Sequence, residues 1–281
     1  MKKRKILKSI LVISMAMFVG ISAVGCGKTE TAKNEDAPKV IRIGGTPISQ
    51  VTYEAIKPLY EKEGYKTEFV MFDSNPVALQ ACNDGDVDID LGQHIKFVES
   101  FNKTKNGDLE MVKPYGYYTG IGLYSEKYKS VDEIPEGGKI AIMNDPINMG
   151  IALSILQDSG LIKLNPDVET PTIADITENK KSLKIIDMEQ AQTVAALKDM
   201  DASCVFFTHM SNAKKDPAKF LARDKVMINF PMGVIVKKEN AEKKWVIDFA
   251  KLLRNKDVQK KIDDKYPSVF EFYTSDDQVK K

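Results

Sequence analysis

Residues 144–150, with the sequence NDPINMG, carry groups that can bind an anion at the start of a helix. Asp145 or Asn148 can accept hydrogen bonds from N–H groups of the first turn, and Pro146 suits that turn. Such N–H groups attract anions, and a neighbouring cation would complete a carboxylate site. Ile151 stands in this turn and no cation does, so the segment by itself leaves the kind of ligand open.

Two histidines and the residues near the first of them are the other polar candidates. Gln93 and His94 lie at the predicted start of a helix, close to Asp90. With neighbouring aromatic rings, these groups favour a cationic or neutral ring-bearing ligand, held by a carboxylate and by cation–π contacts. His209 follows a predicted strand and could meet His94 across a cleft. Two histidines without a further ligand cluster do not indicate a metal site, and we predict neither a metal nor a cofactor.

Aromatic side chains near this predicted cleft are candidates for ligand contacts. In α/β proteins such side chains belong more often to the core than to a site. Three tyrosines precede the predicted crossing into a second unit, which favours them as site residues. The aromatic candidates are Phe72, Phe97, Tyr115, Tyr117, Tyr118, Phe206 and Phe207.

The sequence has none of the motifs that identify common enzyme classes. It contains no G-x-S-x-G elbow, no P-loop, no H-E-x-x-H and no Cys–His pairing with a placed third member. The aspartates of NDGDVDID alternate with apolar residues as on a strand, so this segment is not predicted to bind calcium. Cys82 and Cys204 are expected to be buried free thiols. We therefore predict that the chain is not an enzyme.

The first 26 residues have the pattern of an exported lipoprotein. Five of residues 1–8 are cationic, an apolar run follows, and it ends at Cys26. This run is shorter than the roughly 20 residues that a membrane span needs. We predict a signal peptide over 1–25, lipid attachment at Cys26 and a polar tether over 26–39, which place the protein at the extracytoplasmic face of the cell membrane. An uncleaved anchor is the alternative.

The net charge excludes nucleic acid as a partner. The whole chain has a formal charge of +1, and residues 1–25 hold five cations and no acid, so the rest carries about −4. A mildly acidic domain lacks the basic surface that binds phosphates. About 250 residues can bury a large core as one long domain or two smaller ones.

Short β-branched runs alternate with helical patterns, which predicts βαβ units and mainly parallel sheets. Two α/β lobes joined by two crossings would form a clamp, with a cleft at the carboxyl ends of the strands. We predict lobe I over 40–120 plus 232–281 and lobe II over 121–231. The predicted helices are 49–64, 75–83, 94–105, 148–159, 189–199, 240–254 and 256–264; the predicted strands are 40–45, 66–72, 86–91, 109–117, 119–125, 139–145, 201–207, 226–230 and 233–238.

Several segments, in this order and spacing, resemble the methionine-binding lipoproteins of the NlpA type. They include IRIGGTP, DGDVDIDLGQHIKFVESFN, GKIAIMNDPINMGIAL and DITENKKSLKIIDMEQAQTVAALKDMDAS. The resemblance covers nearly the whole chain after the tether. It implies a type II periplasmic-binding-protein-like clamp and delivery of a small solute to an ABC permease and its ATPase, without catalysis.

The resemblance also implies a binding site, and this chain departs from its usual pattern. The family usually has an Arg at the position of Ile151, where it would hold a ligand carboxylate, and an aromatic residue at the position of Gly92. Desolvating a carboxylate without a cation costs several kcal/mol, so we expect a ligand other than a free amino acid. The predicted ligand-binding residues are His94, Gln93, Phe72, Asn75, Phe97, Tyr117, Asn148, Ile151, Phe206 and Thr208.

A solute receptor of an importer is the function that these patterns favour. A surface module for adhesion or signalling, with a pocket that no longer binds a solute, is the alternative, because most of the family's ligand-holding residues are replaced. An enzyme on a similar α/β framework is the third possibility, which the missing catalytic motifs disfavour.

Overall fold

A computed structural model describes residues 36–280 of the chain. The predicted signal peptide, Cys26 and most of the predicted tether lie outside these residues. In the described part, none of the helices combines the length and the apolar character needed to cross a bilayer. Cys82 and Cys204 are buried free thiols, as predicted.

Helices and strands alternate along most of this part of the chain. The helices are α1 (Pro47–Lys62), α2 (Asn75–Asp84), α3 (Ile95–Lys105), α4 (Pro146–Asp158), α5 (Phe207–Asn212), α6 (Lys244–Leu252) and α7 (Lys256–Lys265). The strands are β1 (Ile41–Gly45), β2 (Thr67–Met71), β3 (Ile89–His94), β4 (Leu109–Thr119), β5 (Ile121–Tyr124), β6 (Lys139–Met143), β7 (Lys163–Leu164), β8 (Ile176–Glu178), β9 (Lys184–Met188), β10 (Ala202–Phe206), β11 (Ala222–Arg223), β12 (Met232–Lys237) and β13 (Phe270–Phe272).

The first sheet has the strand order β13-β4-β12-β3-β1-β2. Strands β2 and β3 run parallel to β1, whereas β12 is antiparallel to both β3 and β4. Helices α1, α6 and α7 bury one face of this sheet, and α2 and α3 bury the other. Val234 and Val236 of β12 pack in the core on the first of these faces and Ile235 packs in the core on the second, so the alternation of this strand supplies two separate cores.

The second sheet has the strand order β11-β5-β10-β6-β9. Strands β10 and β9 are parallel to β6, while β5 is antiparallel to β10. Helix α4 packs its buried side against this sheet in a third apolar cluster. All strands of the second sheet lie between residues 121 and 223 of the chain. This membership supports the predicted lobe boundaries, which stay a prediction.

Two predicted elements are wrong, and in each a buried polar side chain gives the reason. Residues 189–199 form two short 3-10 turns, because Thr193 bonds back to the Gln190 carbonyl and Ser203 donates to the Thr193 carbonyl at 2.8 Å. These side-chain hydrogen bonds compete with the backbone bonding of a continuous α-helix. Residues 226–230 form a turn, not a strand, because the Asp224 side chain accepts the N–H groups at its start.

Asp224 also connects the two segments that cross between the sheets. Its Oδ2 accepts the Ile121 N–H at 2.9 Å, directly after the crossing from β4 to β5. Its Oδ1 accepts the N–H groups of Val226 at 3.1 Å and Met227 at 2.8 Å, in the turn before the chain returns to β12. Burial raises the pKa of Asp224 above its usual value, and these N–H groups oppose that shift.

We expect Asp224→Ala to destabilise the protein strongly, because three backbone N–H groups lose their acceptor. Each buried, unsatisfied donor costs about 1–3 kcal/mol. Asp224→Asn keeps an amide oxygen for Val226 and Met227 and is expected to lose less. Urea unfolding of the three proteins measures this order, and equal midpoints for all three would contradict the role of Asp224.

Asp90 is a fully buried carboxyl group in β3. Its register partner Ile235 packs in the core under α2 and α3, so Asp90 faces the same core. Neither carboxyl oxygen has a hydrogen-bond partner of ordinary geometry among the described residues. Burial raises the pKa of Asp90 well above its usual value, and the nearby Leu91 N–H offsets only part of this shift.

The raised pKa of Asp90 predicts a specific dependence of stability on pH. Below the unfolded pKa, about 3.9, the carboxyl is neutral in both states; above it, the folded protein has to retain a proton that the unfolded chain releases. Stability is therefore lost as pH rises from about 4 towards the folded pKa. In Asp90→Asn this loss is absent. The free energy of unfolding of the variant, measured in urea and compared with that of the wild type, should therefore rise from pH 4 to pH 7. A constant difference across this range would contradict the prediction.

Candidate functional site

A small cavity lies between the two sheets, at the carboxyl ends of β3 and β10. Its volume is about 40 Å³. The start of α4, which carries Asn148, reaches it from the second sheet, as expected for a cleft at strand ends. The lining residues are Ile48, Asn75, Gly92, Gln93, His94, Phe97, Thr119, Asn148, Gln190, Phe206, Thr208 and Met232.

His94 is the N-cap of α3 and has a defined tautomer. Its Nδ1 accepts the Phe97 N–H at 3.1 Å, so the ring proton is on Nε2. Nε2 can then donate to Asn148 Oδ1, 3.3 Å away. Burial lowers the pKa of His94 from 6.5 to about 4, although the Asn148 contact and Asp145 act in the opposite direction. His94 is therefore neutral at pH 7.

Asn148 connects His94 to the start of α4. Asp145, one of the two caps that the sequence allows, caps this helix by accepting the Asn148 N–H at 3.0 Å. The other carboxylate oxygen accepts the Asn148 side-chain amide, also at 3.0 Å. Because Nδ2 is thereby fixed on Asp145, Oδ1 is turned towards His94. The hydrogen bonds from Asp145 through Asn148 to His94 thus join the second sheet to the first across the cavity.

Gly92 allows two neighbouring groups to approach the backbone closely. Its φ of +142° lies in a region that side-chain-bearing residues rarely adopt. A Cβ here would lie 2.8 Å from both Asn75 Oδ1 and Ser49 Oγ. Asn75 Nδ2 donates to the Gly92 carbonyl at 3.1 Å, which holds the start of α2 against the end of β3.

Two polar atoms of the lining have no partner among the described residues. They are the donor Gln93 Nε2 and the acceptor Asn75 Oδ1, both buried. Gln93 is only 6% exposed, and it lines the cavity together with Asn75. Buried polar groups without partners are rare and carry a free-energy cost, so these two atoms lower the stability of this part of the structure.

His209 does not meet His94. It lies in α5, and its Nε2 is 3.0 Å from the Gln190 side-chain amide. Burial lowers the pKa of His209 below its usual value. Within residues 36–280 there is no group of three or more His, Cys, Asp or Glu side chains that could hold a metal ion.

The structure brings seven of the ten predicted site residues to the cavity, and their part in binding remains a prediction. Ile151 is only 5% exposed and packs in the core of the second sheet. The Tyr117 hydroxyl lies 3.2 Å from Thr52 Oγ1 and its ring packs on Phe270. Phe72 packs on the core under α2 and α3, and Asp90 faces that core too and is not part of the lining. The seven are Gln93, His94, Asn75, Phe97, Asn148, Phe206 and Thr208.

The sequence-based site list omitted five lining residues. Thr119 and Met232 lie beside the two crossings between the sheets, a position that the predicted hinges could have indicated. Ile48 lies in the first turn of α1, directly after β1. Gln190 lies in the turn that was predicted as a helix, so its approach to the cavity depends on tertiary contacts. The fifth is Gly92, which the sequence marks only as a departure from the family's aromatic residue.

Comparison with known proteins identifies relatives over most of the chain. The D-methionine-binding lipoprotein MetQ of Yersinia pestis is 35% identical over 215 residues, 75% of this chain and 78% of that protein. A probable D-methionine-binding lipoprotein MetQ of Haemophilus influenzae is 30% identical over 263 residues, 91% of this chain and 94% of that protein.

A solved structure with a bound ligand has the same fold. It is a nutrient-binding protein from Burkholderia cenocepacia bound to methionine, with a TM-score of 0.76 and 27% sequence identity, and it aligns 83% of this chain with 98% of that chain. The likeness, with the two sheets described above, confirms the predicted two-lobed α/β clamp. The model of the NlpA lipoprotein family matches residues 41–271. The chain belongs to the NlpA lipoprotein family.

Proposed function

We propose that this protein is the substrate-binding component of an ABC importer and that its solute is not methionine. In this proposal, lipid at Cys26 anchors the chain at the extracytoplasmic face of the cell membrane, and the clamp delivers its solute to a permease driven by an ATPase. The family and the two-lobed clamp support this role. The relatives' names report methionine binding of those proteins only.

The uncharged lining of the cavity is the observation that carries this proposal. None of the twelve lining residues is Lys, Arg, Asp or Glu, and the one histidine is neutral at pH 7. A bound amino acid has a carboxylate and an ammonium group that both lose water on burial. Each such ion costs several kcal/mol unless an opposite charge compensates it. Ile151, buried in the core, supplies no such charge.

The size of the cavity implies that the lobes open before a solute enters. Pockets for drug-sized ligands have volumes of about 300–1,000 Å³, far above the 40 Å³ found here. The contact between His94 and Asn148, both of which line the cavity, joins the two sheets. Hinged lobes can separate at the two crossings, admit the solute and close again, as clamp proteins do.

L-Methionine is expected to bind weakly or not at all. A ligand that binds only the folded state adds about 2.7 kcal/mol of stability at a concentration 100 times Kd, so both calorimetry and thermal unfolding report binding. The Yersinia pestis relative, named for D-methionine, serves as a positive control when the D-isomer is titrated into both proteins. A submicromolar Kd for either isomer with this chain would contradict the proposal.

His94→Ala should weaken binding of the solute that co-purifies with the protein, identified by mass spectrometry after denaturation. The variant removes one hydrogen bond across the closed clamp, worth about 1 kcal/mol, which corresponds to roughly a five- to tenfold rise in Kd. Unfolding of both proteins without solute controls for damage to the α3 cap. Unchanged affinity would remove His94 from the site.

Mass spectrometry of the solute that co-purifies with the protein also distinguishes the competing functions. Release of a solute supports the receptor. A surface module without a working pocket would release nothing and would show no thermal shift with any small molecule. An enzyme would convert its solute to a product, which repeated mass spectra of the incubated protein would detect.

A further inference from the structure

We propose that an extended segment of a partner protein, with an apolar residue between two basic residues, adds to the first sheet beside β4. This site is separate from the cavity between the two sheets, and it does not depend on the proposed transport function. It rests on the backbone groups of β4 that have partners, on those that have none, and on the charges beside them.

A groove of about 570 Å³ lies along β4. We call it the β4 groove. Ile95 and Val98 of α3 line it and pack on one face of the first sheet. Ala241 and Ile247 line it too and pack on the opposite face. The groove therefore has apolar walls on both faces of the sheet, and its volume is within the range of about 300–1,000 Å³ that small ligands occupy.

The part of β4 in this groove has a neighbouring strand on one side only. Strand β12 pairs with residues 109–112, whereas β13 pairs only with residues 117–119. The Lys238 N–H donates to the Asp108 carbonyl at 3.0 Å, which continues the pairing with β12. Because backbone groups alternate in direction along an antiparallel pair, Met111 turns its N–H and C=O away from β12 and into the groove.

Side chains satisfy the outward backbone groups at both ends of this stretch. Asn102 donates to the Leu109 carbonyl at 2.8 Å and accepts the Leu109 N–H at 3.1 Å, as a neighbouring strand would. At the other end, Asp276 accepts the Tyr115 N–H at 2.9 Å and Arg254 donates to the Tyr115 carbonyl at 2.6 Å. The ends of the edge are thus closed to further pairing.

Met111 lies between these closed ends, and its outward N–H and C=O have no partner among the described residues. An unpaired strand edge is a template for an extended peptide. The walls on both faces leave room for a single segment, but not for the edge of a second sheet that carries its own helices. The geometry therefore favours a flexible segment of a partner over a second copy of this chain.

The direction of the side chains defines the apolar position of the segment. A residue that exchanges two hydrogen bonds with Met111 directs its side chain to the same face as Met111. On that face Ile95 and Val98 are apolar. The residues before and after it direct their side chains to the opposite face, where Glu110 and Glu242 are exposed.

These two glutamates are the charges that the groove offers to a partner. Lys238 already forms an ion pair of 3.2 Å with Asp108, and Lys113 lies 5.5 Å from the centre of the adjacent tyrosine ring. Glu110 and Glu242 form no ion pair with another described residue. Basic side chains beside the apolar position would complement them, mainly by selecting among partners.

Titration of the full-length chain, purified in detergent, with three blocked five-residue peptides tests the strand addition. The first peptide has a valine between two lysines; the second has an N-methyl group on the valine nitrogen, which removes its N–H; the third has glutamates in place of the lysines. We expect the first to bind at least tenfold more tightly than either control. Equal binding of the N-methyl peptide would overturn the strand addition, and equal binding of the glutamate peptide would overturn the charge preference.

The readout is the amide signal of Met111 in protein labelled with ¹⁵N-methionine, assigned with Met111→Leu. The same spectra report on Met232, which lines the cavity between the sheets. We expect the first peptide to shift the Met111 signal. A shift of Met232 alone would place the peptide in the cavity and overturn the proposal, as would the absence of any shift.

Reversing the charge of the groove tests the role of its glutamates. In the double variant Glu110→Lys and Glu242→Lys, we expect the lysine peptide to lose at least fivefold in affinity and the glutamate peptide to gain. Glu136→Lys with Glu169→Lys changes the net charge equally at exposed positions outside the groove and should leave both affinities unchanged. Equal effects of the two double variants would overturn the role of Glu110 and Glu242.

Sedimentation velocity of the chain with and without the lysine peptide tests the other occupant. We expect the same monomer in both samples. A dimer that the peptide dissociates would assign the β4 edge to a second copy of the chain and overturn the partner segment. Solutes that bind the cavity between the sheets, or their absence, leave this proposal unaffected.

Discussion

The hydrogen bond between His94 and Asn148 is the contact on which the geometry of the cavity depends. It joins the end of a strand in the first sheet to the first turn of a helix on the second. Both partners are held by further hydrogen bonds: His94 accepts the Phe97 N–H, and Asn148 donates to Asp145. Because burial keeps the imidazole neutral, the two lobes meet through an uncharged contact, and the space beside it has no charge to offer a ligand.

Because of this constraint, the fold and the choice of ligand depend on different residues. The strands and the crossings are those of a clamp, and the fold agrees with that of a related solved structure over most of the chain. In our proposal, ligand choice depends on the few side chains that line the cavity at the strand ends. A fold therefore supports a general transport role, while the nature of the solute follows from the local balance of charge and hydrogen bonds.

Sequence periodicity predicted most strands and helices, because alternation and helical spacing reflect burial directly. It failed at residues 189–199, where side-chain hydrogen bonds of Ser203 and Thr193 compete with the backbone bonding of a helix. That turn brings Gln190 to the cavity. The same tertiary contact therefore explains why the predicted helix is wrong and why Gln190 was omitted from the predicted site. Ile151 was placed in the site from the family's pattern, but its apolar side chain is buried in the core, as its hydrophobicity favours.

Nitrogen NMR of the histidine rings tests most directly whether an uncharged His94 closes the clamp. The chain contains two histidines, so a His209→Gln variant assigns the signals. The structure predicts that His94 keeps its proton on Nε2 and shows no titration between pH 8 and about pH 5, because its pKa is lowered to about 4. Titration near pH 6.5, or a proton on Nδ1, would contradict the buried, uncharged contact with Asn148.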